Sequence, residues 1–386
     1  MRNKKKILFT MPGKVAGGGH LGTLEIMDRL RHYGFEPIAV VNQINTAITS
    51  LLDHNSIPFI FIAGYPGPVL RNTASFLTQI YLFRKAIISE KISLIHLSDL
   101  ITGHYGILAA KLAGIPSIMH MKSLYWLKEY GWANRMVISQ ADLIIAISNV
   151  VNNACLQARL PAKKIITLHD AVEPQSFPEK SKTEAEAKKA LRIAQNKFVI
   201  GFVGRLGVEW KNEPLVYNLA GKLSKERKDL VLLVVGGPFD GEEDTFNESK
   251  ELAKKLGGDT EIVFTGERRD IPQILPAMDL YLVPSREEPF GRVVIEGMAV
   301  GLPVVGSNNG GIPEIITDGH DGFLLPPDDL NAWIKILKTL INNPGLRKQI
   351  GENARKTVKE RFELENMIKK VAGEYFRLLK LNNIKE

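Results

Sequence analysis

From Leu280 to Ser307 the chain reads LYLVPSREEPFGRVVIEGMAVGLPVVGS, and its two apolar ends frame a segment of another kind. LYLVPS and LPVVGS are short runs without polar alternation, the pattern of strands buried on both faces. Between them, Pro289 and Gly291 break the chain ahead of VVIEGMAV. Proline suits a first helical turn and glycine a flexible approach to it, so residues 285–288 read as a strand-end loop and residues 290–300 as a helix. Strand, loop, helix and strand in that order make one βαβ unit, which calls for a parallel sheet. Two carboxylates divide across the unit, Glu288 in the loop and Glu296 about two turns into the helix. On one continuous helix they would stand roughly 80° apart and share no face. The plain alternative is a charged loop residue and a solvated helix glutamate.

The same pattern repeats along the chain. KILFTMP, EPIAVVN, IPFIFIAG, SLIHLSD, PSIMHM and ADLIIAIS alternate with helical patterns in the first half, and FVIGFVG, LVLLVVGG, EIVFTG, LYLVPS and LPVVGS in the second. Each half therefore reads as its own doubly wound α/β domain, an arrangement that puts ligands at the carboxyl ends of the strands. Two such domains facing each other would form a cleft. A chain of 386 residues is too long for one ordinary core and suits two. The expected division is 1–178, 179–364 and a last helix in 365–386, with a linker near Pro174 to Lys182, where the chain turns charged and carries two prolines. Trp333, Ile336, Leu337 and Leu340 fall on one face of a further helix.

Composition sets limits on function. No apolar run approaches the roughly 20 residues of a membrane span, and the apolar stretch in MRNKKKILFTMPG is too short for a signal peptide. The single cysteine, Cys155, rules out an internal disulfide and a cysteine metal cluster. These features predict a cytoplasmic protein. The net charge of +8 is uneven, with 19 Lys and Arg against 11 Asp and Glu in residues 1–180 and 31 against 31 in the rest. Such an excess suits an acidic partner of the first half, such as an anionic membrane surface, or serves solubility alone. No recognition helix or aromatic RNA-binding motif accompanies it, so no nucleic acid partner is expected.

Several strand ends carry chemistry. After FVG, Gly204 permits a tight turn and delivers Arg205 and Lys211, a planar fork and a point charge able to hold a diphosphate beside a helix N-terminus. A solvated charged loop is the competing reading. After the first strand, TMPGKVAGGGHLGT runs through Gly17, Gly18, Gly19 and Gly22 into a helix, where bare backbone amides can approach a phosphate. It has neither a Walker lysine nor a GxGxxG register, and a flexible loop without ligand reads equally well. SNNGGIPEII and FTGERRDIP add two more turns of this kind in the second half.

Taken together, these segments resemble the retaining GT-B glycosyltransferases, in particular the large family four that uses nucleotide-activated sugars. The resemblance runs from the glycine-rich first loop through DLIIAISNVV, LHDAVEPQSF, GRLGVEWKN, FTGERRDIP and the paired-glutamate segment to GGIPEIITDGHDGFLLPPDD. It implies a GT-B fold and transfer of a sugar from a nucleotide-diphosphate sugar to a hydroxyl of a glycan, glycolipid or small acceptor, in cell-surface polysaccharide or lipopolysaccharide synthesis. It also implies roles. Glu288 would contact donor-sugar hydroxyls and Glu296 the ribose. Phe290, Gly291 and Arg292 would offer backbone amides to the diphosphate, which Gly18, Gly19 and Gly204 would also approach. Arg205 and Lys211 would neutralise the leaving diphosphate, and the loop around Arg268 and Ile271 would cradle the base. No cofactor or metal is expected, because an Asp-x-Asp pair is missing and the two cations can do that work. Retention would follow a front-face route, with the leaving phosphate accepting the acceptor's proton.

The sequence departs from the family in PSIMHMKS. There His120 takes a threonine-like position and Lys122 the place of a sugar-contacting histidine. Either could face the cleft, and a buried core histidine is the alternative for His120. Tyr125, Trp126, Tyr130 and Trp132 could stack on an acceptor sugar, sit at a lipid headgroup interface or pack in the core. Two other functions stay open: a nucleotide-sugar epimerase of related fold, for which no proton-transferring set of carboxylates and histidine is found, and a non-catalytic nucleotide-sugar binding protein.

Overall fold

The structure, a computed structural model, describes residues 4–14, 16–63, 73–124, 132–237 and 243–381. It divides into two compact units, Met1–Asp170 with Glu365–Glu386, and Ala171–Leu364. The division falls ahead of the charged stretch after Pro174. Its reason is local: Val172 N donates to Phe362 O at 3.0 Å and Leu364 N to Val172 O at 2.9 Å, which fastens the start of the second unit to its own end.

In the first unit seven parallel strands run β1 (Lys5–Thr10), β2 (Phe35–Val41), β3 (Phe59–Phe61), β4 (Ile92–Leu97), β5 (Ser117–Met121), β6 (Leu143–Ala146) and β7 (Ile165–Thr167). Their spatial order is β3-β2-β1-β4-β5-β6-β7. The register on β1 is Ile7 opposite Pro37 on one side and Leu94 on the other. Ile7, Leu8 and Phe9 are fully buried, as a strand covered on both faces requires. The helices between strands start and stop on local chemistry: Asp99 caps Leu100–Ala113, and Gly114 ends it at φ +70°. The last helix, Leu364–Leu378, brings Tyr375 and Phe376 against Phe35, at ring distances of 5.3 and 5.1 Å.

The second unit repeats the plan with six parallel strands, β8 (Phe198–Val203), β9 (Leu230–Val235), β10 (Glu261–Phe264), β11 (Leu280–Val283), β12 (Val304–Ser307) and β13 (Phe323–Leu325). Their order is β10-β9-β8-β11-β12-β13. Every residue of β9 is buried. Trp333, Leu337 and Leu340 of helix Leu330–Asn342 close one face of this core. In each sheet the order reverses once: the loops leaving β1 and β4 flank the reversal in the first unit, and those leaving β8 and β11 flank the one in the second. That is where open α/β sheets bind ligands.

Candidate functional site

Three loops of the second unit converge on Glu288. The first leaves β8, closes a 3-10 turn at Glu209–Lys211 and reaches Asn212, whose φ of +55° turns the chain into helix Glu213–Leu223. Asn212 Nδ2 donates to Pro284 O at 3.3 Å and to Pro327 O at 2.9 Å, and Arg286 N donates to Trp210 O at 2.7 Å. These bonds tie the β8 loop to the β11 loop. Lys211 Nζ then meets Glu288 Oε2 at 2.8 Å, with the two side chains only 16% and 13% exposed. The third loop, SNNGG after β12, braces Glu288 from behind. Gly311 N donates to Glu288 O at 2.7 Å, Asn309 Nδ2 to Arg286 O at 2.5 Å, and the Ser307 hydroxyl to Ser285 O. Gly310 has φ +61°, and a Cβ there would collide with the Glu288 backbone.

Helix Arg292–Val300 begins at Gly291, whose φ of +114° only glycine adopts readily. The helix therefore starts two residues later than the proline and glycine spacing predicts. Phe290 turns its ring into the core against Phe362, 5.8 Å away, so only its backbone is left for a ligand. Arg292 Nε bonds Glu296 Oε1 at 3.1 Å, and Arg292 Nη1 donates to Ala171 O at 3.2 Å. This partner of Glu296 was missed by reading Arg292 for its amide alone, although an i,i+4 spacing of Arg and Glu was there to see. Beneath the helix lies Tyr281, whose ring a Cβ on Gly297 would strike. Burial, and then the charges of Glu296 and Glu288, push the Tyr281 hydroxyl well above its usual pKa.

The remaining residues of the second unit sit on neighbouring turns. Gly204 N donates to Val235 O at 3.0 Å, and Gly236 N to Gly266 O at 3.0 Å. These bonds join the ends of β8, β9 and β10, and Arg205 follows half-buried on the β8 loop. Arg268 makes a two-pronged bond to Asp270, Nε to Oδ1 at 2.8 Å and Nη2 to Oδ2 at 2.6 Å. That bond holds the Asp270 carboxyl below its usual range. Ile271 opens the short helix Ile271–Ile274.

In the first unit, Gly18 and Gly19 open helix Gly18–Leu30. Lys122 Nζ donates to Gly19 O at 2.9 Å and to Thr23 Oγ1 at 2.7 Å, so the cation braces the glycine-rich turn. His120 is turned inward. It is 4% exposed, and its Nδ1 lies 3.0 Å from His96 Nε2, while His96 Nδ1 lies 2.6 Å from the Tyr375 hydroxyl. Burial, with Lys122 second, lowers His96 to about 3 and His120 well below the histidine norm, so both rings are neutral at pH 7. The buried, hydrogen-bonded reading of His120 thus describes its surroundings. Trp132 is 69% exposed; Tyr125, Trp126 and Tyr130 lie outside the described residues. Among the described residues no group of three or more His, Cys, Asp or Glu side chains is placed to hold a metal ion.

Residues 16–176 match the family model Glycosyltransferase Family 4, and residues 183–357 match Glycosyl transferases group 1. The chain belongs to the group 1 glycosyl transferases. Its two parallel-sheet units are the Rossmann-like domains of the GT-B fold. Two relatives of this glycosyl transferase show how divergent the family is. N-acetyl-alpha-D-glucosaminyl L-malate synthase of Bacillus anthracis is 28% identical over 64% of this chain and 62% of its own length. D-inositol 3-phosphate glycosyltransferase of Actinosynnema mirum is 30% identical over 67% of this chain and 66% of its own length. The match therefore spans slightly less than two thirds of each. The crystal structure of Anabaena HepE in complex with UDP-glucose superposes with a TM-score of 0.83 at 25% identity, covering 96% of this chain and 99% of that one.

Proposed function

We propose that the protein is a retaining, metal-independent glycosyltransferase, moving a sugar from a nucleoside diphosphate sugar to a hydroxyl of a glycan, glycolipid or small acceptor. The observation that carries this is the Lys211–Glu288 pair, nearly buried where three strand-end loops meet at the sheet's reversal. A lone ammonium and carboxylate brought out of water hold each other's charge. An incoming donor replaces that exchange with a better one: its diphosphate takes Lys211 and Arg205, and hydroxyls of its sugar bond to Glu288. Glu296, oriented by Arg292, accepts from the ribose hydroxyls. As the bond between C1 and the phosphate oxygen breaks, the two cations meet the growing negative charge, the task a divalent ion performs elsewhere. The acceptor oxygen bonds C1 on the same face and its proton passes to the departing phosphate. Glu288 then holds a sugar hydroxyl, and the front-face route requires no nucleophilic attack by it on C1.

Of these acceptors, a membrane-borne glycolipid, as in the synthesis of cell-surface polysaccharide or lipopolysaccharide, fits the surface of the first unit best. Helix Leu100–Ala113 packs against both Thr73–Ser89 and Trp132–Ile138. The three expose Leu77, Tyr81, Ile88, Leu112, Trp132 and Met136, each more than half accessible, beside exposed Arg84, Lys85 and Lys111. Apolar side chains among cations suit an anionic bilayer surface. No helix among the described residues is long and apolar enough to cross a membrane.

The test is incubation with labelled UDP-glucose and other nucleotide sugars, with and without lipid-linked and soluble acceptors, in EDTA. Transfer with the donor's anomeric configuration retained supports the reading. Sugar conversion without acceptor points to an epimerase instead, and binding without any turnover to a non-catalytic protein.

A further inference from the structure

At the amino ends of β11 and β12, the edge of the second sheet opposite the loops that carry Lys211 and Glu288, lies a cavity of about 340 Å³. One wall is a stripe of helix Pro344–Arg361, where Pro344, Arg347, Lys348, Glu352 and Arg355 recur at helical spacing. Glu179, Lys180, Glu184 and Asp279 face it with the apolar Val300 and Pro303. The volume lies within the ~300–1,000 Å³ common for small-molecule sites.

The charges on these walls do not balance. Glu184 and Asp279 share Lys180 and Lys188, at 2.7 to 3.7 Å. Glu179 is met by Lys182 at 3.1 Å and Glu352 by Lys348 at 3.9 Å. Four carboxylates thus have four lysines, and Arg347 and Arg355 have no carboxylate in ion-pair reach among the described residues. Arg347 Nη1 donates to Leu340 O at 2.6 Å and Ile341 O at 2.9 Å, and Arg355 Nη1 to Ala299 O at 2.7 Å. Those carbonyls end two helices, which accounts for a cation at each place. It does not account for the Nε and Nη2 groups, which make no hydrogen bond among the described residues. Phe198 covers a face of the Arg347 guanidinium at 5.1 Å, which leaves its edges for an acceptor. Burial lowers the Arg347 pKa from its usual value and Asp279 offsets this only in part, so the fold leaves that charge uncompensated.

Arg347 and Arg355 are eight residues apart on one helix, about 12 Å along its axis, and each is pinned to a different helix end. An anion with two acidic groups can give one to each, since a phosphate or carboxylate matches the guanidinium fork. Val300, Pro303 and Pro344 offer a carbon skeleton apolar surface, and Glu179 and Glu352 can accept from its hydroxyls. We propose that this cavity binds a small bis-anionic metabolite, a phosphorylated sugar or polyol with an acidic group at each end, one on Arg347 and one on Arg355. The site shares no residue with the loops around Glu288, and it stands whether or not the transfer reading does.

The experiment is calorimetric titration of fructose 1,6-bisphosphate into the full chain, without nucleotide, against NaCl of matched ionic strength. Saturable binding is expected, at least tenfold tighter than that of fructose 6-phosphate, and at least tenfold weaker in Arg347→Gln and in Arg355→Gln. If these variants do not fold, Ser181→Asp takes their place. That residue is exposed on the cavity wall, and its added negative charge should weaken binding at least fivefold. Arg205→Ala combined with Lys211→Ala should leave the affinity as it is. A loss there would place the ligand among the loops around Glu288 and overturn the proposal. Heat no greater than that of NaCl does the same, as does unchanged affinity in the Gln variants, or in Ser181→Asp where it stands in. So does fructose 6-phosphate binding as tightly as the bisphosphate.

Discussion

Glu288 and Glu296 answer to different cations, and that difference can be measured. Glu296 is paired with Arg292 on its own helix, Glu288 with Lys211 across two loops. If Glu296 holds the ribose, Glu296→Ala should weaken a free nucleoside diphosphate and the nucleotide sugar alike, by about 1.5 to 3 kcal/mol. Glu288→Ala removes the counter-ion of Lys211, so diphosphate affinity should stay level or rise while turnover falls with the lost grip on the sugar. Calorimetry with both ligands on both variants makes the comparison, and equal loss of diphosphate affinity in the two would refute the assignment. Arg205→Ala and Lys211→Ala should each cost about a hundredfold in kcat, the scale of one lost transition-state donor. Full activity in either folded variant removes that residue from the site. The two carboxylates, Arg205 and Lys211 could be singled out in sequence because prolines and glycines mark the loops that hold them. Their partners were harder to see: the Lys211–Glu288 contact spans 77 positions, and Arg268 proves committed to Asp270, a neighbour read only as part of a loop.

Strands were legible where the apolar run was long enough. Each apolar run quoted from the sequence forms a strand, the partly buried edge strands β3 and β10 among them. The two that escaped, β7 and β13, are also partly buried edge strands, but the runs that hold them, IIT and FLL, are shorter than the IPFIFIA around β3 and carry less apolar signal. Turns depend on backbone geometry, and glycine alone does not say which turns are crowded. Gly310 and Gly266 both have positive φ, +61° and +70°. A Cβ on Gly266 would meet nothing within 4 Å, whereas one on Gly310 would strike the backbone of Glu288. Gly266→Ala should therefore cost only the left-handed backbone penalty, about 1 to 2 kcal/mol. Gly310→Ala should cost more, and should also lower kcat because Glu288 is displaced. Thermal melts and initial rates on the pair check this; similar stabilities would mean that the SNNGG turn does not brace Glu288.

Across the whole molecule the two units differ in how they meet acid. The first is pinned inside by the chain Tyr375–His96–His120, whose first two members lie 279 positions apart, a pairing that no local pattern encodes. His96 falls from an ordinary 6.5 to about 3 on folding, and His120 falls in the same direction. Between those values the unfolded chain binds protons that the folded chain refuses, so stability is full above about pH 6.5 and drains as pH falls towards 3. Each such histidine takes up to about 1.4 kcal/mol per pH unit within that window. The depressed carboxylates of the second unit, among them Glu179, Glu184 and Asp270, begin to lose their contribution only near pH 4.5 and below. Glu213, raised instead, keeps its proton over the acid range and opposes the loss. Hydrogen exchange at pH 7 and pH 5.5 should therefore show protection falling first in β4, β5 and helix Leu364–Leu378, with β8, β9 and β11 little changed. His96→Asn, which cannot take up a proton, should flatten that pH dependence even if it lowers stability at pH 7. Equal loss in both units, or an unchanged pH profile in His96→Asn, would show that the histidine chain does not govern the acid response.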